Sequence, residues 1–261
     1  MSGPTTIGGG NGRDHLVLTD VSVDLNGFRA VDGLSLKVAK GELRCIIGPN
    51  GAGKTTALDM ICGKIAPTAG EIVFEGKRLN NLEEHEIARA GIGRKFQVPS
   101  VFRELTVREN LDVAYSKHTG VFANAFCFGR GAERDGLEKL AEFVDLQNHL
   151  DFPAGHLSHG HTQWLEIALL LAQDPELILM DEPTAGMTVH ETQKTAELFN
   201  RLKIKHTLIV VEHDMSFVKE IGEVISVMHL GELLAEGSVD EIEHNPEVRS
   251  VYLGSGGISG A

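Results

Sequence analysis

Gly48-Pro49-Asn50-Gly51-Ala52-Gly53-Lys54-Thr55-Thr56 matches the pattern G-x-x-x-x-G-K-[ST] at every fixed position. Ahead of it, Leu43-Arg44-Cys45-Ile46-Ile47 reads as a buried strand, and Thr55 to Cys62 reads as the helix that follows. Glycines let such a loop curl so that successive N–H groups point inward, and the positive end of the new helix adds attraction for an anion. Lys54 is placed to bridge the outer two phosphates as a point charge, and the Thr55 hydroxyl to hold Mg²⁺. The segment predicts a site for a nucleoside triphosphate.

A second element bears on what happens to that nucleotide. Leu177-Ile178-Leu179-Met180 predicts a buried strand, and Asp181 and Glu182 emerge at its C-terminal end, where open α/β sheets place their ligands. Asp181 is expected in the Mg²⁺ shell, directly or through water. Glu182 is expected to polarise the attacking water as general base, which points to hydrolysis rather than binding alone.

Working outward, the chain sorts into blocks. Residues 1–13, with Gly8-Gly9-Gly10, predict a flexible tail, and 255–261 a C-terminal one. Residues 15–40 alternate apolar and polar positions, as in Leu34-Ser35-Leu36-Lys37-Val38, and predict antiparallel strands. Glu71–Gly76 predicts another strand ended by a turn. From Leu82 to about Leu171 the patterns are mostly helical, with Phe122, Phe126 and Phe128 forming Phe-rich patches. Thr207–Val211 predicts a further short strand of a parallel sheet, and Val224–Met228 another strand near the end. There is one phosphate loop and no internal repeat.

Composition limits the classes. A net charge of −13 argues against broad nucleic-acid binding, although a local basic pocket around Lys54 is compatible with it. Cys45, Cys62 and Cys127 are odd in number and far apart, as expected of reduced thiols in the cytosol. No signal peptide is expected, because no basic segment precedes an apolar one at the N-terminus. No apolar stretch approaches the roughly 18 residues of a membrane span, so membrane association is expected through a partner. His156, His159 and His161 lie close together, but metal binding is not expected there, since zinc sites add Cys or carboxylate ligands at fixed spacing.

Leu157-Ser158-His159-Gly160-His161 precedes a helical pattern through Trp164, Ile167, Ala168 and Leu171. It resembles the LSGGQ signature of ABC-type ATPases, with His159 and His161 standing where the common pattern has Gly and Gln. Physically, Ser158 is a good N-cap and the helix start a second anion site, which suits two subunits arranged head to tail with ATP between them. The resemblance covers roughly residues 15–254. It implies a P-loop NTPase (RecA-like) α/β core with an antiparallel β subdomain and an inserted α-helical subdomain at about 98–165, within an ATP-binding domain at 14–254. It also implies that Phe28 stacks on adenine, that Gln97 joins the metal site to the helical subdomain, and that His213 contacts the γ-phosphate. Ser158 and Gly160 would close over nucleotide held by the opposite subunit. Thr184-Ala185-Gly186-Met187 occupies the D-loop position without the usual Asp.

Gly41–Gly48, Glu84–Arg89 and Gly91–Gln97 look like the ATPases of branched-chain amino acid importers. Leu157–Gly160, Gln163–Ile167, Ala185–Thr188 and Glu212–Met215 look closest to the urea and short-amide branch. The resemblance implies ATP and Mg²⁺ as cofactors and a second ATPase subunit, like or unlike. It implies membrane permease subunits, an indirectly coupled periplasmic binding protein, no nucleic acid, and a place on the cytoplasmic face of the membrane. Two other classes fit the sequence less well. A soluble ABC ATPase outside transport usually carries two nucleotide modules, a coiled-coil insertion or basic surfaces, and a regulatory module without hydrolysis would lack Glu182 or His213.

Overall fold

The alternation of residues 15–40 becomes a hairpin. β1 (Asp14–Leu25) pairs antiparallel with β2 (Phe28–Ala39) across Asn26 and Gly27, both at positive φ (55° and 86°), the backbone of a tight two-residue turn. The computed structural model describes residues 14–95, 101–116 and 130–254. β4 (Ala69–Phe74) joins the other edge of β1, and β5 (Lys77–Arg78) completes a sheet in the order β2-β1-β4-β5.

The short apolar runs build the second sheet. β3 (Leu43–Ile47), β6 (Ile92–Arg94), β7 (Leu177–Asp181), β8 (Thr207–Val211) and β9 (Val224–His229) are parallel neighbours, and β10 (Glu232–Gly237) pairs antiparallel with β9. The order is β10-β9-β3-β8-β7-β6. Its central strands are apolar on both faces because both are covered. Ile178, Met180, Leu208 and Val210 enter one core with α5 (His159–Leu171) and α6 (Val189–Leu202). Leu177, Leu179, Ile209 and Val211 enter the other with α1 (Lys54–Ile61) and the antiparallel sheet.

The two sheets are also tied by charge. Lys40 Nζ lies 3.0 Å from Glu75 Oε1, just past β4, and 2.7 Å from Glu176 Oε2, just before β7. His15 adds its Nδ1 at 2.8 Å from the same Glu75 oxygen, with its buried ring edge-on to Phe74.

One expectation needs correction, and two short strands add to the rest. The phosphate-loop helix begins at Lys54, not Thr55, and ends at Ile61. The stretch from Leu82 to Leu171 contains α2 (Glu84–Arg89), α3 (Val107–Ser116) and α4 (Arg130–Phe143), but also the short strand β6. β6 is three residues long and pairs with β7 through its backbone, so its side chains carry almost no periodic signal. The edge strand β10 was not anticipated, since its half-exposed pattern lacks a buried face. Ahead of α3, the buried Asn110 amide holds residues 102–106, accepting from Phe102 N at 2.8 Å and donating to the carbonyls of Phe102 and Thr106. Phe122, Phe126, Cys127, Phe128 and both tails lie outside the described residues.

Candidate nucleotide site

The phosphate loop is wedged between β2 and the turn after β9. Gly48 has φ 153°, and a Cβ there would lie 2.2 Å from the Met228 carbonyl oxygen. Gly53 has φ 96°, and a Cβ there would lie 2.5 Å from the Ala30 carbonyl oxygen. Neither position accepts a side chain without moving backbone. Ala52 accepts from Gly231 N at 3.0 Å, which fixes Pro49-Asn50-Gly51-Ala52 above the sheet. Gly53 caps α1 with no side-chain hydrogen bond, so the N–H groups at Lys54, Thr55 and Thr56 meet no capping side chain.

Lys54 is buried and donates from Nζ to the carbonyl oxygens of Gly48 and Pro49 at 2.7 and 3.0 Å. Burial pulls its pKa down, and the charges of Glu182 and Asp181 oppose that shift.

Asp181 ends β7, and β8 alone separates β7 from β3. Burial pushes its carboxyl above the usual range, offset in part by the Thr55 hydroxyl and the Arg94 guanidinium. Its Oδ2 accepts no hydrogen bond, and the nearest Arg94 nitrogen is 3.9 Å away. A buried carboxylate oxygen without a donor, beside a threonine hydroxyl, is a hard-oxygen donor set that fits Mg²⁺. Arg94 is held in turn by Asp59 and by Cys62 Sγ at 3.1 Å.

Glu182 follows in left-handed backbone (φ 46°), with its N–H donating to Val211 O at 2.9 Å. Strain of this kind in a non-glycine residue costs of order 1 kcal/mol and persists where the surroundings impose it. The turn swings its half-exposed carboxylate to 3.6 Å from His213 Nδ1. The structure therefore brings Lys54, Thr55, Asp181, Glu182 and His213 to one end of the parallel sheet. Phe28 stands beside the hairpin turn with an exposed ring, two residues before Ala30 at Gly53. Gln97 lies outside the described residues.

The signature segment forms a separate element. Ser158 caps α5, accepting from His161 N at 3.2 Å, and its Oγ lies 3.4 Å from Glu191 Oε1. Gly160 is buried in the first turn against the same Glu191 carboxylate. His159 Nε2 donates to Ala185 O at 2.9 Å. The His161 ring instead packs against His149 and Trp164, with centroids 4.3 and 5.3 Å away. The two imidazoles thus serve different contacts, and a Gln at position 161 is not needed to close the helix start.

Two structural residues escaped the sequence reading. Arg94 lies within 3.9 Å of Asp181 and lowers the cost of its buried charge. Glu212 is fully buried and accepts hydrogen bonds from both neighbouring loops. The available signal was a charge placed directly after the apolar run Val210-Val211.

A glycine-rich loop between β3 and α1, with an acidic strand end two positions across the sheet, defines a P-loop nucleoside triphosphatase. The ABC transporter family profile matches residues 31–185, and the profile of the branched-chain amino acid ATP-binding cassette transporter matches residues 232–258. The high-affinity branched-chain amino acid transport ATP-binding protein BraF of Pseudomonas aeruginosa is 37% identical over 252 residues, covering 93% of this chain and 98% of that protein. LivG of Escherichia coli K12, of the same description, is 36% identical over 248 residues, covering 92% and 97%. Among solved structures, an ABC transporter ATP-binding cassette in its ADP conformation superposes with TM-score 0.81 at 31% identity, covering 93% of this chain and 99% of that one. A dimeric post-hydrolysis cassette bound to ADP and Pi gives TM-score 0.73 at 26% identity, covering 86% and 98%. The chain belongs to the ABC transporter ATP-binding family, and its activity is ATP hydrolysis. Among the described residues no helix is long and apolar enough to cross a membrane.

Proposed function

We propose that the chain is the ATP-hydrolysing subunit of a membrane importer and works as one of two such subunits with ATP–Mg²⁺ between them. The observation that carries this reading is the presence of two separate helix starts on one chain, α1 without a side-chain cap and α5 with Ser158 at its head. The α1 start has no side-chain cap and belongs to the site of Lys54, Asp181 and Glu182. The α5 start is held by Ser158 and anchored to Ala185 and Glu191. A second subunit lets each serve the other's nucleotide.

In that arrangement Gly48–Thr56 wrap the phosphates and Lys54 trades the Gly48 and Pro49 carbonyls for phosphate oxygens. Thr55, Gln97 and Asp181 would hold Mg²⁺, which would supply positive charge against the phosphates. Glu182 takes the proton of the attacking water, and His213 beside it orients the γ-phosphate end. Phe28 stacks on adenine, and Ser158 and Gly160 of the opposite subunit close the site. The helical subdomain at about 98–165 meets the permeases, which places the chain peripherally on the cytoplasmic face of the membrane. A periplasmic binding protein delivers the cargo.

The names of BraF and LivG, and the match at residues 232–258, support branched-chain amino acids as that cargo. The segments Leu157–Gly160 and Ala185–Thr188 support urea and short amides as a second reading. Ser158→Arg tests the dimer: nucleotide affinity of the isolated chain is retained, while ATPase of the assembled complex is lost. Equal loss of both would reduce Ser158 to a local cap. Uptake of labelled leucine against labelled urea by the assembled transporter decides the cargo.

A further inference from the structure

We propose that Glu212 is a positioning residue that sets His213 and the turn after β7 through a single buried carboxylate. Its side chain is 0% exposed. Oε1 accepts from Thr184 N at 3.2 Å and from the Thr184 hydroxyl at 2.5 Å. Oε2 accepts from His213 N at 3.0 Å and Asp214 N at 3.4 Å. Four donors from two loops converge on one residue that, when ionised, only accepts.

Burying a charge is costly unless it is hydrogen-bonded, so a carboxylate at this depth is justified only by the donors around it. Those donors are backbone and hydroxyl groups of the two segments that carry the reacting side chains. β7 and β8 run in register, with Asp181 opposite Val211, so residues 182–187 and 212–214 leave the sheet side by side. Glu182 is already tied to Val211 by its N–H. Glu212 supplies the second tie, one oxygen to each loop, and this fixes the separation of Glu182 and His213 at 3.6 Å. Glutamine would keep the shape but turn one pair of acceptors into donors, facing either Thr184 N or the N–H groups of His213 and Asp214. All four donors to the carboxylate are protein groups, and it acts through His213. The inference therefore rests on the reading that His213 orients the γ-phosphate.

The test is steady-state and single-turnover ATPase of the full chain carrying Glu212→Gln, with the thermal midpoint of each variant. kcat should fall at least about 10-fold while KM for ATP stays within about 2-fold, the split expected of lost orientation. Thr184→Val should reproduce the loss and Thr184→Ser should not, which keeps the proposal testable should Glu212→Gln fail to fold. In a His213→Ala background, Glu212→Gln should add less than about 2-fold, because contacting residues acting through one group do not sum. A full additional loss on slow His213→Ala would overturn the positioning role alone. His213→Ala hydrolysing at the unmodified rate would overturn the reading of His213 and the proposal with it. Unchanged kcat in Glu212→Gln, or kcat and affinity falling together with the midpoint in Thr184→Val as well, would also overturn it.

Discussion

Lys54 Nζ lies 2.7 Å from the carbonyl oxygen of Gly48, so the ammonium closes the phosphate loop on itself. The loop glycines are fixed by packing against Ala30 and Met228 rather than by this lysine. Lys54→Ala should therefore leave the unfolding midpoint of the nucleotide-free protein within a few degrees while weakening ATP binding and lowering hydrolysis at least ~100-fold, as loss of a phosphate clamp requires. Nucleotide titration and phosphate release check this. Hydrolysis at the unmodified rate would remove the loop from the mechanism.

Asp181 represents the opposite balance of stability and function. Its carboxyl is pushed above the usual range by burial, so the folded chain holds that proton more tightly than the unfolded one. The sign follows: ionised Asp181 opposes folding at neutral pH, and this penalty disappears as pH falls below its ordinary value. Asp181→Asn should raise the thermal midpoint measured without Mg²⁺ and nucleotide, and lower ATPase by at least about 10-fold. A lowered midpoint would contradict the burial argument.

Lys95 and Glu166 form a buried pair, Nζ to Oε2 3.5 Å, between the end of β6 and the middle of α5. Burial pulls Lys95 down and Glu166 up, each opposed by the other's charge. Glu166→Ala strands the lysine and should cost about 3 kcal/mol in denaturant unfolding. The double change Lys95→Met with Glu166→Leu should recover most of that loss, because the pair's desolvation cost is removed together with its attraction.

His15 and His161 both have pKa values lowered from 6.5, chiefly by burial. The unfolded chain then binds their protons more readily, so stability should rise with pH on approaching that value and level off above it. Urea midpoints at several pH values between about 5 and about 7.5 measure the slope. His15→Gln and His161→Gln should each flatten it, and an unchanged slope in both would assign the effect elsewhere.

The parts of the fold readable from sequence are those where chemistry and local geometry coincide. Gly48–Thr56 demand a particular loop, and Leu177–Glu182 end a buried strand in charge, so both sites stood out before any contact was known. The alternation of residues 15–40 marked the antiparallel strands for the same reason, although the turn at Asn26 and Gly27 that joins them was not singled out. β6 and β10 did not show, because one is too short for periodicity and the other is half-exposed at a sheet edge. Glu212 and Arg94 were invisible as structural anchors, since their partners Thr184, Asp59 and Cys62 come from distant segments that only the tertiary fold brings near. The helix start at Ser158 was legible, but the contacts of His159 with Ala185 and of His161 with His149 were not.

The two-faced packing of β7 has a genetic corollary. Ile178 and Met180 face one core, Leu177 and Leu179 the other, and Asp181 takes its direction from that alternation. Because both faces are apolar, exchanging one aliphatic residue for another costs little beyond fit. Losing one residue is different in kind, since the period of two turns everything beyond the gap to the opposite side. A single-codon deletion within 177–180 keeps the reading frame and nearly the same composition, yet it aims the carboxylate of Asp181 away from Thr55. A library of in-frame deletions should therefore be empty of active clones across this strand, while the exposed turn at Ile204 tolerates them. The gene is written here in pairs of residues.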